Sequence, residues 1–72
     1  MFEKKTLSER LLKLRKDKAV SQTELAKNAG ISCHQISKME NGQRAASIEV
    51  LYALADYFGV SIDYLVGRTD NP

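Results

Sequence analysis

Leu7, Leu11 and Leu14 stand at i, i+4 and i+7, the spacing of one helical face, with mostly polar residues between them. The same spacing returns in Leu25, Ala26 and Ala29, in Ile36 and Met39, in Ile48, Leu51, Leu54, Ala55 and Phe58, and in Ile62 and Leu65. No stretch alternates with a period of two, and the only proline is Pro72. The pattern predicts an all-α fold: five short helices around one small core.

Cap chemistry sets the boundaries. Thr6-x-x-Glu9, Ser21-x-x-Glu24 and Ser32-x-x-Gln35 are each written as a capping box, a hydroxyl and a carboxylate or amide satisfying orphan amides at a helix start. The first helix is therefore expected from about Leu7 to Lys16. The second opens at Gln22 and ends at Gly30, whose backbone tolerates the positive φ a helix stop needs. The third follows the cap at Ser32 and runs to Asn41, with Gly42 as terminator and Gln43 to Ala46 as a loop. Ser47 caps a fourth helix that Gly59 stops, and Ser61 caps a fifth that Gly67 ends. Residues 1–72 read as one domain, with residues 1–5 as an N-terminal arm and residues 68–72 as a frayed tail.

Ala29-Gly30-Ile31 joins the second and third helices through a glycine turn, the form of a helix-turn-helix. With Ile36 pointing at the core and steps of about 100° per residue, His34, Lys38 and Asn41 fall within about 40° of straight outward and Ser37 lies on their flank. That face carries hydrogen-bonding groups and no large apolar residue. It suits the polar edges of a ligand better than a partner's apolar groove.

Composition and charge narrow the function. A chain of 72 residues, 43% apolar and 28% charged, is too short to enclose a deep substrate pocket as well as build a core. Net charge is only +2, yet residues 1–44 carry ten Lys/Arg against five Asp/Glu, while residues 45–72 carry one against four. The basic half suits a polyanion. MFEKKTLSER lacks the apolar stretch of a secretory signal, and Cys33 is the lone cysteine, so a reducing cytoplasm without disulfides is expected.

Residues 10–65 resemble the XRE-type, lambda-repressor-like helix-turn-helix domain of bacterial and phage transcription regulators. The resemblance rests on RLLKLRKDKAVSQTELA, AGISCHQISKMENG and SIEVLYALADYFGVSIDYLVG, and on the combination of Ala26, Gly30 and Ile36. The family's usual proline before the fourth cap is Ala46 here. The resemblance implies a compact five-helix lambda-repressor-like domain that inserts its third helix into the major groove, usually as a homodimer on a near-palindromic operator. It also implies that Gln22 contacts the DNA backbone and braces the third helix.

Base edges would then be read by Cys33, His34, Ser37 and Lys38, with Gln35 at the margin. His34 and Lys38 can donate to guanine O6 or N7, and the Cys33 thiol can pack against a thymine methyl. Asn41 and Arg44 would follow a phosphate strand that Lys27 also reaches. Arg15 and Glu40 each lie about 40° off the core direction of their helices. They are expected to pair, partly buried, and to set the angle of the third helix, as the resemblance also implies.

One cysteine and one histidine fall short of the roughly four ligands of a metal site, and neighbours on a helix point about 100° apart, wrong for a nucleophile and its base. No enzyme activity, metal, cofactor, small-molecule substrate or membrane association is expected. The expected partners are double-stranded DNA and a second copy of the chain, docked through Tyr57, Tyr64 and Val66 or through Tyr52. The ending GRTDNP is also compatible with a longer protein whose main dimer contacts lie elsewhere. The alternative function is that of an antitoxin or other protein-interaction module on the same fold.

Overall fold

Leu7, Leu11, Leu25, Ala26, Ile36, Met39, Leu51, Leu54, Ala55 and Leu65 close into a single buried cluster to which every helix contributes. The computed structural model describes residues 4–72. In chain order the helices are α1 (Lys4–Lys18), α2 (Gln22–Ala29), α3 (Cys33–Glu40), α4 (Ile48–Phe58) and α5 (Ile62–Val66), and no strand occurs among the described residues. α1 packs on α3 and α5, α2 on α3 and α4, and α4 on α5. Leu14, Ala29, Phe58 and Ile62 pack half-buried around the cluster. No helix is long and apolar enough to cross a membrane among the described residues.

Four serines start four of the helices. Ser21, Ser32, Ser47 and Ser61 accept from the backbone N–H of Glu24, Gln35, Val50 and Tyr64 respectively, and at Ser32 the Gln35 side chain completes the box. Each cap replaces water at an orphan amide and is worth about 1 kcal/mol.

The start of α1 departs from expectation. Its helix is already formed at Lys4, so Lys4 and Lys5 are helical rather than part of an arm, and residues 1–3 of that arm lie outside the described residues. Thr6 is therefore an interior residue and not an N-cap. Lysine is a good helix former, and the Thr6 methyl has a tertiary role instead: it lies against the Gly67 backbone, where an added Cβ would come within 2.6 Å of Cγ2.

The end of α1 also runs past the expected Lys16. Ala19 takes the left-handed conformation, φ 59°, while its N–H bonds Lys16 O and the Val20 N–H bonds Arg15 O. This is a Schellman stop on a residue other than glycine, so the sequence carries no glycine to mark it.

Ile48, expected on the inward stripe of α4, is 66% exposed, and Tyr52 is 67% exposed. Ile48 points the right way, but it is the first residue of α4, and the buried positions of that helix begin only at Leu51. The other tyrosines are occupied by the chain itself. Tyr57 meets Phe58 edge to face at 5.2 Å, with the Lys18 ammonium 5.0 Å from the Tyr57 ring. Tyr64 lies beneath the Arg10 guanidinium at 4.4 Å, and Val66 packs on the core.

The tail expected to fray is tied down by Arg10, whose Nη1 donates to Tyr64 O (2.7 Å) and Thr69 O (2.5 Å) and whose Nη2 meets Asp70 Oδ1 (2.7 Å). One guanidinium thus caps a carbonyl of α5 and holds residues 69 and 70 on α1.

Candidate nucleic-acid interface

α3 leaves the body because of the three residues before it. Gly30, at φ 72°, sends its N–H back to Ala26 O, and the Ile31 N–H bonds the same carbonyl at 3.0 Å. No atom crowds the place of a Gly30 Cβ, so glycine is favoured there by its dihedral alone. Ser32 then restarts the helix. Ile36 and Met39 bury completely or nearly so and pin the inner face of α3 to the core.

The outer face is polar, as its spacing requires. Cys33, His34 and Asn41 are exposed, Ser37 and Lys38 are half-buried on the flank, and Arg44 and Lys27 project from the following loop and from α2. Lys27, Lys38 and Arg44 have no carboxylate partner among the described residues. Gln35 is committed locally: its Oε1 accepts from the Ser32 N–H at 3.0 Å and the Ser32 hydroxyl at 3.3 Å, leaving its amide N–H groups unused. No group of three or more His, Cys, Asp or Glu is placed to hold a metal ion among the described residues.

Beneath this face lies a connected polar network. Arg15 Nε donates to Glu40 Oε2 at 2.6 Å and Arg15 Nη2 to Glu40 Oε1 at 3.2 Å, with the Glu40 side chain 5% and the Arg15 side chain 18% exposed. Two donors in a fixed fork meet two oxygens, which constrains rotation as well as distance. Arg15 Nη1 also reaches Val20 O at 3.1 Å, and Ser8 Oγ donates to the Glu40 carbonyl. α3 is held at its C-terminal end by side chains of α1.

Gln22 extends the network to α2. Its Nε2 donates to Glu40 Oε1 at 2.8 Å, and its Oε1 faces the Cys33 thiol at 3.9 Å, with Thr23 Oγ1 also 3.9 Å from the sulfur. The pairing of Arg15 with Glu40 is expected from the sequence, and Gln22 stands out there as well, but the Gln22–Glu40 contact is not expected. Eighteen residues separate the two, and no local pattern marks such a pair.

Comparison with known proteins fits this architecture. Residues 11–65 match the helix-turn-helix family HTH_3. The chain is 34% identical over 70 residues to the uncharacterized HTH-type transcriptional regulator y4dJ of Sinorhizobium fredii, covering 97% of this chain and 91% of that protein. It is 37% identical over 62 residues to the cryptic phage CTXphi transcriptional repressor RstR of Vibrio cholerae, covering 86% of this chain and 55% of that protein. The P22 c2 repressor, in a crystal structure with a synthetic operator, matches with a TM-score of 0.81 and 33% identity over 83% of this chain and 91% of that one. Family match, five-helix architecture and whole-length similarity agree, and the chain belongs to the XRE-type helix-turn-helix family of transcriptional regulators.

Proposed function

We propose that this protein is a sequence-specific DNA-binding repressor of the phage or prophage type that inserts α3 into the major groove. The observation that carries the reading is the division of α3 into a face anchored by Ile36, Met39 and the Arg15–Glu40 pair and an outer face of exposed Cys33, His34 and Asn41. A rigidly held polar helix face is what direct readout of base edges needs. His34 and Lys38 are the proposed guanine readers, Cys33 and Ser37 read beside them, and the free amide of Gln35 works at the margin. Gln22, Lys27, Asn41 and Arg44 are the proposed phosphate contacts, helped by the unpaired backbone N–H groups at the starts of α2 and α3.

One such unit spans few base pairs, so the proposed active form is a two-fold dimer on a near-palindromic operator. Its proposed contact is the outer side of α4, where Ile48 and Tyr52 are the exposed large apolar residues. The same two residues would equally serve an antitoxin-like role against another protein, and co-purification of a different chain would favour that reading.

The test is selection of bound duplex from a random pool at two salt concentrations. A recovered motif with two-fold symmetry, and affinity that falls with salt, is the expected result. Recovery of no preferred sequence at either concentration would overturn the proposal.

A further inference from the structure

We infer that Glu40 is a positioning residue for DNA binding: its carboxylate fixes the rotation of the Gln22 amide so that one N–H is held inward and the other is presented to a phosphate oxygen. The inference rests on the DNA-binding reading above and assigns Glu40 a task beyond its pairing with Arg15.

The chemistry of the contact sets the orientation. An ionised carboxylate only accepts, so the Gln22 nitrogen, and not its oxygen, must face Glu40 Oε1 at 2.8 Å. The Gln22 oxygen is thereby turned to Cys33, where it can only accept the thiol proton across 3.9 Å. One of the two N–H groups on Nε2 is used by Glu40, and the second remains available. Glu40 is itself immobile, because the Arg15 fork holds both of its oxygens and its side chain is 5% exposed. The order of restraint therefore runs from α1 through α3 to the first residue of α2. A glutamine on an open helix start would otherwise sample several rotamers, and holding it in one lowers the entropy lost on binding.

Charge alone predicts the opposite sign for the critical variant. Removing a carboxylate near the interface raises the net charge by one and frees Arg15, so Glu40→Gln should tighten binding to a polyanion if electrostatics were all that mattered. Positioning predicts weaker binding, because an amide in place of the carboxylate can offer either its oxygen or its nitrogen to Gln22 and no longer dictates the rotation of that side chain.

The experiment measures affinity for the selected duplex and for a scrambled duplex, over a range of salt, for wild type, Glu40→Gln, Gln22→Ala and the double variant. Glu40→Gln is expected to weaken both duplexes by about 3- to 10-fold, because the freed Gln22 amide still reaches the phosphate in a fraction of its rotamers. The salt slope stays unchanged because the group presented is uncharged, and Glu40→Gln loses less in the Gln22→Ala background than in wild type, what remains being its share in anchoring α3 through Arg15. Unchanged or tighter binding by Glu40→Gln, or losses that multiply in the double variant, would overturn the inference.

A measurement on wild-type protein without DNA covers the case in which Glu40→Gln does not fold. Hydrogen exchange of the Gln22 side-chain amide should be slower than that of exposed Gln43, and equal rates would sink the proposed restraint. Failure of the wild type to prefer any DNA would instead remove the function proposed above, leaving the exchange result standing by itself.

Discussion

Gly67 lies so close to Thr6 that a Cβ added to the glycine would sit 2.6 Å from Thr6 Cγ2 and 3.3 Å from Thr6 Cβ. Gly67 also has φ 85°, a left-handed conformation costly for other residues. Threonine has only two ready χ1 rotamers in a helix, so its methyl has few places to go. Gly67→Ala is therefore expected to destabilise the protein by about 2–4 kcal/mol, as backbone strain and overpacking combine. Gly59→Ala, with similar φ but open space around the new Cβ, should lose only about 1–2 kcal/mol. Urea unfolding of both, with Thr6→Ser added to Gly67→Ala, checks this: the serine should recover part of the loss at Gly67 because it removes Cγ2.

Ala19 provides the converse. It holds φ 59° at the Schellman stop of α1, which strains an alanine by about 1–2 kcal/mol. Glycine relieves that strain but gives the unfolded chain more freedom, worth about 0.4–1 kcal/mol against folding. Ala19→Gly should thus raise stability by about 0.5–1 kcal/mol, read as a higher urea midpoint with an unchanged m-value.

The Arg15–Glu40 pair should behave asymmetrically. Arg15→Met leaves a carboxylate in a site where its side chain is 5% exposed, at a loss of about 3 kcal/mol. Adding Glu40→Met should recover most of that stability, since desolvation offsets much of the attraction within the pair. DNA binding should stay impaired in the double variant. If the double variant bound its operator like wild type, the pair would have no part in orienting α3 or Gln22.

His34 and Arg44 test the division between reading and holding. His34→Ala is expected to relax preference at one operator position by about 1–3 kcal/mol while leaving other positions alone. Arg44→Ala should weaken all sequences about equally and make the salt slope shallower by about 1. Selection experiments and salt titrations on the two variants separate the outcomes, and a sequence-specific effect at Arg44 would contradict its assignment to phosphate.

Tyr52→Glu tests the proposed dimer. Tyr52 is 67% exposed, so the folded monomer should keep its stability within about 0.5 kcal/mol. Sedimentation should show weaker self-association and the operator should be bound less cooperatively. Dimers of undiminished affinity would place the contact elsewhere.

The elements themselves are legible in the sequence because their signals are local. A serine hydroxyl reaches an amide three residues on, and a glycine ends a helix through its own dihedral, so Ser21, Ser32, Ser47 and Ser61 mark the starts of α2 to α5 without any tertiary information. The outward direction of His34 and the burial of Ile36 likewise follow from a period of 3.6 and a single anchored face. Thr6 carries the same local signal as the serines and yet is no cap, because Lys4 and Lys5 extend the helix past it and its methyl meets Gly67 far along the chain.

Tertiary structure decided whatever depends on which surfaces meet. Ile48 has the right helical phase but stays exposed, Tyr57 and Tyr64 are covered by Lys18 and Arg10, and the Gln22 amide is turned by Glu40. Periodicity states the direction a side chain leaves its own helix. It is blind to what stands opposite, because the approach of two helices is a sum over contacts between residues far apart in the chain.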